Sequence, residues 1–188
     1  YGNTLSGPIT LSTTNGSITV GGVISTTGAV TLTAGGTGSI LDGNTGLDIS
    51  GGSIAFYAGG AIGSGNSNPL DISTTSLYAS GAGDIDLTNG PTGAVTITGL
   101  STSGTGAVRY AQGGQALNIN GTITSGSGGV LIDPPTDVLI NARINGGGGD
   151  VTIEATNNIT FNNGGYVDNA LNVTLRADDD MIGTGAII

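Results

Sequence analysis

The side chains of this 188-residue chain that could do chemistry are almost all carboxylates. Thirteen Asp or Glu residues stand against three Arg, and the chain has no Lys, His or Cys. The usual general bases, thiol nucleophiles and imidazole or thiolate metal ligands are therefore missing, and a Ser-His-Asp triad cannot form. Polysaccharide cleavage is the one enzymatic chemistry left open, because it needs only paired carboxylates, or a calcium cluster with an Arg or Lys base.

Paired carboxylates occur at three places along the chain. The pairs are Asp84 with Asp86, Asp133 with Asp137, and Asp150 with Glu154. Asp84 and Asp86 flank Ile85, so period-2 alternation predicts that both lie on the outer face of one strand as solvated charges. We expect no clustering of these carboxylates with the three arginines, which are Arg109, Arg143 and Arg176. The sequence therefore predicts no catalytic residues and no enzymatic activity.

Two stretches invite comparison with calcium sites. Repeats that coil around Ca²⁺ read Gly-Gly-x-Gly-x-Asp, whereas Gly146–Asp150 lacks the residue between the last Gly and Asp and does not recur. Asp178, Asp179 and Asp180 could bind a cation through oxygen ligands, but an acidic surface turn is the simpler interpretation. We predict neither a metal ion nor a cofactor.

Two sets of side chains could bind a ligand on the surface. Asn120, Asn141 and Asn162 recur every 21 residues. They form either a ligand ladder or a row of corner residues that tolerate left-handed geometry and stack their amides, and we favour the second interpretation. Of seven aromatic residues, three fall on inward positions, namely Phe56, Tyr110 and Phe161. Three others are candidates for an outer platform that stacks on sugars, namely Tyr57, Tyr78 and Tyr166.

The elements that must position these groups recur about every 22 residues. The clearest repeat is an apolar run at Val130-Leu131-Ile132, Val151-Thr152-Ile153 and Val173-Thr174-Leu175. A fixed period of this length indicates a repeat architecture. The first strand set predicted from it is Ile18, Ile40, Ile62, Ile85, Val108, Val130, Val151 and Val173. The second is Ile24, Leu47, Leu70, Val95, Leu117, Val138, Ile159 and Ile182. The third is Ile9, Val30, Ile54, Leu77, Leu100, Ile123, Ile144, Val167 and Ile188.

Composition and spacing together indicate a parallel coil. The chain contains 38 Gly and is 36% hydrophobic, with short aliphatic runs bounded by Gly, Asn, Ser and Asp, which is the signature of strands and turns. An antiparallel sandwich remains the alternative, but its strands have no reason to repeat in triplets. We predict an all-β, right-handed parallel β-helix (β-solenoid) with three short strands per coil and about eight coils of roughly 22 residues. Residues 1–188 form a single segment in this prediction, part of a longer chain or filament.

The charge of the chain limits its partners. A net charge of −10 argues against binding to nucleic acid or to an anionic membrane surface. No apolar run approaches the roughly 20 residues that span a bilayer, so no membrane insertion is expected. Neither end of the chain carries an obvious cap. We expect adjacent coils, or further copies joined end to end, to cover both ends, and the isolated piece to self-associate.

Several motifs of the chain carry a family resemblance, namely Gly60–Ile72 with Leu77 and Gly83–Leu87, then Gly149–Ala155, Asn158–Phe161 and Asp180–Gly185. They resemble the repeat region of filamentous haemagglutinin-like adhesins of the two-partner-secretion type. The resemblance implies a right-handed parallel β-helix, export by a Gram-negative bacterium and a secreted, extracellular or cell-surface location. The Asn-Pro-Asn-Leu-type motif of the family's secretion domain is not present, so the segment would be shaft. The family brings no catalytic residues.

Two functions are consistent with these observations. The first is a non-enzymatic structural shaft or fibre segment of an adhesin or extracellular filament, with host or surface glycans as further partners. The alternative is a β-helix module that binds or cleaves polysaccharide. The uniform small polar residues at outward positions favour the shaft.

Overall fold

The computed structural model describes residues 5–64, 68–133, 135–178 and 185–188. The runs in which aliphatic and hydroxyl residues alternate form short strands, because one set of side chains points inward and the other outward. These residues contain strands and turns and no helix. The strands are β1 (Ile9–Thr13), β2 (Ile18–Val20), β3 (Ile24–Ser25), β4 (Ala29–Ala34), β5 (Ile40–Asp42), β6 (Ile49–Ser50), β7 (Ser53–Ala58), β8 (Leu70–Ser73), β9 (Ser76–Gly81), β10 (Ile85–Asn89), β11 (Val95–Ser101), β12 (Val108–Gln112), β13 (Leu117–Ile119), β14 (Ile123–Thr124), β15 (Val130–Asp133), β16 (Val138–Ile140), β17 (Arg143–Asn145), β18 (Val151–Ala155), β19 (Ile159–Phe161), β20 (Tyr166–Asp168) and β21 (Val173–Ala177).

The strands stack as a parallel β-solenoid of about eight turns that repeat about every 22 residues. The predicted fold class is therefore confirmed, while the right-handed sense of the coil stays a prediction. The first strand set is confirmed along its whole length from Ile18 to Val173. Alternation is also as predicted, since Val151 and Ile153 are fully buried and Thr152 is partly exposed.

The cross-section of the coil changes along the chain. In the N-terminal half (β1–β8), the longest strands are β1, β4 and β7, and they lie in an 11-stranded sheet. The opposite wall is divided into β2–β5 and β3–β6–β8. In the C-terminal half (β13–β21) the division lies in the 11-stranded sheet, as β13–β16–β19 and β14–β17–β20. There β15, β18 and β21 form an undivided wall of an eight-stranded sheet.

The cross-section changes at four consecutive strands, β9–β12. We call these four strands the junction. Ile85 at the start of β10 continues the column of Ile62, whereas Leu87–Asn89 pair with β8. Strand β11 pairs with β9 on one side and with both β13 and β14 on the other. Its register shifts between Ile97 and Gly99. A coil of the junction thus has two long strands in place of three short ones.

Several positions of the second and third strand sets were wrong. Ile24 pairs with Ile49, and Ile49 with Ile72, two residues beyond Leu47 and Leu70. Val95 leaves this column altogether, because β11 belongs to the other sheet. In the third set Leu100 pairs with Ala79 and not Leu77. A slip of two residues leaves every side chain on its original face, so the hydrophobic pattern cannot detect it.

The last residues also differ from the prediction. Ile188 exchanges main-chain hydrogen bonds with Ile159 and Phe161 of β19, and not with the column of Val167. Ile182 lies outside the described residues.

Candidate functional site

The outer face of the eight-stranded sheet brings Asp84, Asp86 and Arg109 together at the junction. Arg109 Nη1 donates to Asp84 Oδ2 at 2.9 Å, and the Ala107 N–H donates to Asp84 Oδ1 at 2.9 Å. Burial alone would raise the pKa of Asp84, but these hydrogen bonds outweigh it and lower the pKa. The prediction that the arginines stand apart from the carboxylates is therefore wrong.

The other two arginines are paired in the same way. Arg143 Nε donates to Asp168 Oδ1 at 2.9 Å on the 11-stranded sheet. Arg176 Nη1 contacts Glu154 Oε1 at 2.5 Å in the last described coil. Each arginine lies 22 to 25 residues from its partner. A search for opposite charges about one coil apart could have found all three pairs.

Asp86 is the most unusual charged residue on this face. The prediction of a solvated charge is wrong, since only 6% of the residue is exposed. Its Oδ2 atom is buried and has no hydrogen-bond partner among the described residues. Gly63 packs against it so closely that an added Cβ would lie 2.3 Å from the Asp86 carbonyl oxygen. Burial raises the pKa of Asp86, against the opposing effect of Arg109.

Two adjoining hollows lie on this face, and together we call them the Asp86 groove. The first, of about 250 Å³, is lined by Pro69, Asp86, Thr88, Arg109, Tyr110, Ala111, Leu131 and Asp133. The second, of about 190 Å³, is lined by Ala107, Val108, Arg109, Gly128, Gly129, Val130, Leu131, Asp150 and Thr152. Arg109 and Leu131 border both hollows and form the ridge between them.

The remaining predicted carboxylates are engaged separately. Asp133 lines the first hollow. Asp137 Oδ1 accepts from Asn158 Nδ2 at 3.0 Å, and Asp150 Oδ1 accepts from Asn172 Nδ2 at 2.8 Å. Glu154 in turn is contacted by Arg176, so three of these four carboxylates are held by a side chain from the next coil.

The asparagine row forms a ladder of amides. Asn141 Nδ2 donates to Asn120 Oδ1 at 2.7 Å, and Asn162 Nδ2 donates to Asn141 Oδ1 at 2.6 Å. The stacking predicted for these corners is confirmed. The left-handed geometry is not, because the described non-glycine residues with positive φ are Asn169 and Asp178.

Two of the three candidate tyrosines come together on the 11-stranded sheet. The rings of Tyr57 and Tyr78 lie 5.4 Å apart at an angle of 39°. Tyr166 lies on β20, in the last coil. Of the inward aromatics, Phe56 and Tyr110 are fully buried, and Phe161 is partly buried against the core.

Sequence reasoning missed a carboxylate inside the N-terminal half. Asp48 is fully buried, and its carboxylate accepts from Asn44 Nδ2 at 2.6 Å and from the Asp71 N–H at 2.9 Å. Burial raises the pKa of Asp48 to about 6, with the negative charges of Asp42 and Asp71 adding to the effect. The sequence did contain a signal for this site, because Asp48 and Asp71 are separated by about one coil and are therefore expected to lie next to each other.

The calcium comparison falls on two turns. Gly147 and Gly148 have positive φ, at 61° and 91°, and lie in the tight turn between β17 and β18. Asp178 has a φ of 62°, whereas Asp179 and Asp180 lie outside the described residues. Within the part of the chain that is described, no group of three or more acidic side chains is arranged to hold a metal ion.

Comparisons with protein-family models, with curated proteins and with solved structures gave no match. No helix long and apolar enough to cross a membrane occurs in residues 5–64, 68–133, 135–178 and 185–188.

Proposed function

We propose that this segment is a non-enzymatic structural shaft of a secreted or cell-surface bacterial adhesin or extracellular filament. The observation that carries the proposal is the unbroken inward column from Ile40 to Val151, which is buried in every coil. Main-chain hydrogen bonds join each coil to the next. At roughly 4.8 Å per coil, about eight coils make a rod about 40 Å long.

The outer surface supports the same proposal. Much of it is Ser, Thr, Asn and Gly, and the asparagine ladder and Arg109–Asp84 bind one coil to another. Such contacts between neighbouring repeats stabilise the stack along its axis. The resemblance to filamentous haemagglutinin-like repeats favours export by a Gram-negative bacterium, and adjacent coils of the same kind as partners.

A duplication experiment tests the shaft. Val130, Val151 and Val173 occupy one column, so residues 130–172 comprise two whole coils. A second copy of residues 130–172 inserted after position 172 should preserve the register and the export of the parent protein in its source cells. A second copy of residues 130–161, inserted after position 161, does not comprise whole coils. The strands that follow it would be out of register with the preceding coil, so this variant should lose folding and surface display. Antibody labelling of intact cells measures display, and circular dichroism measures folding.

Two results would contradict the proposal. One is loss of folding or display with the in-phase duplication. The other is release of reducing sugar from pectin, alginate or glucan by the wild-type chain, abolished by Asp84→Asn or Asp86→Asn.

A further inference from the structure

We propose that the Asp86 groove binds a short stretch of a neutral polysaccharide, with Asp86, Asp133 and Arg109 contacting the hydroxyls of neighbouring sugar rings. Two observations support the proposal. Asp86 has a buried carboxylate oxygen without a hydrogen-bond partner among the described residues, and its side chain lines one of two hollows that are separated by Arg109 and Leu131.

The unpartnered oxygen of Asp86 is the first argument. Buried polar atoms in folded proteins nearly always have a hydrogen-bond partner, and an exception calls for a water, an ion or a ligand. Asp86 Oδ2 is buried without one among the described residues, and Asp86 lines the first hollow. Oδ2 itself has almost no accessible surface, so a sugar hydroxyl in this hollow reaches it only when the wall of the hollow moves slightly. The hydrogen bond formed would then remove the penalty of an unsatisfied buried acceptor.

The chemistry of the lining is the second argument. Asp86 and Asp133 offer acceptors, Thr88 offers a hydroxyl, and Arg109 has N–H donors beyond the one that contacts Asp84. Pro69 and Leu131 add apolar surface, and Leu131 is 36% exposed. A few convergent polar groups on a partly apolar wall are typical of ligand sites. Sugar rings match this lining, since their hydroxyls both donate and accept while their C–H faces are apolar.

The charge of the groove selects among glycans. Asp86 and Asp133 line the first hollow and Asp150 the second, whereas Arg109 is already paired with Asp84. This balance repels uronic acids and sulfated sugars, as does the net charge of −10. A neutral glycan carries no such penalty. Two hollows on either side of one ridge fit two consecutive rings of a chain better than a single small molecule.

The test is an NMR titration of the ¹⁵N-labelled 188-residue chain with neutral hexasaccharides of the malto, cello, laminari and galacto series. Hexagalacturonate is the acidic comparison. At least one neutral series should shift the amides of residues 86–88, 109–111 and 131–133, and hexagalacturonate should not. Asp86→Asn should weaken that binding by roughly tenfold or more, since it replaces one carboxylate oxygen with an N–H donor. Arg109→Gln should weaken it as well.

Arg143→Gln is the matched control, because it breaks an Arg–Asp pair of the same kind on the other sheet. Its affinity should stay within twofold of wild type. Melting temperatures show whether each variant is folded. If Asp86→Asn unfolds the chain, Leu131→Glu provides the second variant, as it places a charge on the ridge between the hollows.

The inference is overturned if no neutral series binds, or if Asp86→Asn and Leu131→Glu bind like wild type. It is equally overturned if hexagalacturonate binds as tightly, or if the shifts fall on Tyr57 and Tyr78 of the other sheet.

Discussion

The two halves of this solenoid keep the same period but not the same cross-section. In the N-terminal half the undivided wall belongs to the 11-stranded sheet, and in the C-terminal half it belongs to the eight-stranded sheet. The column from Ile18 to Val173 nevertheless runs through both. A nearly constant repeat length therefore keeps one inward column in register from coil to coil, while the positions of the corners can move from one wall to another.

The junction that joins the halves contains a buried polar network of its own. Inside it, Asn89 Nδ2 donates to Tyr110 Oη at 2.8 Å, and Tyr110 Oη donates to Gln112 Oε1 at 2.7 Å. All three side chains are buried. On the outer face of the junction lies the Asp86 groove, which is bordered by Pro69, the residue that precedes β8. The change of cross-section thus coincides with both the internal polar network and the candidate site.

The largest expected effect comes from placing a charge in the undivided wall of either half. Leu32 in β4 and Ile153 in β18 are both fully buried. We expect Leu32→Asp and Ile153→Asp each to lower the free energy of unfolding by about 4 kcal/mol or more, because each buries an unpaired carboxylate. Urea denaturation gives the values. Thr31→Ser and Thr152→Ser are the neighbouring controls and should cost under about 1 kcal/mol.

A difference between the two aspartate variants would break the comparison. If Leu32→Asp lowered the free energy of unfolding strongly and Ile153→Asp only slightly, the inward side chains of the eight-stranded wall would not form the core of the C-terminal half. If Ile153→Asp and Thr152→Ser melted alike, the inward register of β18 would be wrong.

A smaller effect is expected from removing one oxygen inside the junction. Tyr110→Phe leaves the ring in place but deprives Asn89 and Gln112 of their shared partner. Leaving buried polar groups unsatisfied should cost about 2 kcal/mol. Tyr57→Phe removes an exposed hydroxyl in the N-terminal half and should cost almost nothing. Equal melting temperatures for both variants would contradict the expectation that this buried network stabilises the junction.

The sequence predicts the stack better than it predicts the junction. The first strand set is correct from end to end because its inward residues keep one column through both halves. The second set slips at Leu47 and Leu70 because a slip of two preserves the faces. The longest step in the second set runs from Leu70 to Val95. Within that step the undivided wall changes from the 11-stranded sheet to the eight-stranded sheet.

The candidate site was predictable in part. The pairing of Arg109 with Asp84 follows from a spacing of about one coil, which is visible in the sequence. The burial of Asp86 is not, since it depends on the chain at Gly63 packing against its strand. The repeat places Ile62 beside Ile85, but it does not predict how closely the next residue, Gly63, packs against Asp86.

The smallest expected effect is a pH dependence that comes from the N-terminal half. The folded state raises the pKa of Asp48 to about 6, compared with about 3.9 in an unfolded chain. The folded chain therefore binds the proton more tightly, and this stabilisation is complete below about pH 4 and is lost as the pH rises through about 6. Asp71 and Asp86, whose pKa values are also raised, act in the same direction. The melting temperature should fall between pH 4 and pH 7.

Asp48→Asn isolates the contribution of this one carboxyl. Asn keeps the shape and an acceptor for the Asp71 N–H, but it carries no charge to bury. The variant should match wild type near pH 4 and exceed it at pH 7 by about 1 kcal/mol, after allowance for solvent screening. Raising the salt to about 0.5 M should screen the repulsion from Asp42 and Asp71 but leave most of this difference, because burial is its largest cause. Thermal melts at both pH values measure it. A difference that is the same at pH 4 and pH 7 would mean that Asp48 titrates alike in the folded and unfolded chain, and that the N-terminal half stores no buried charge.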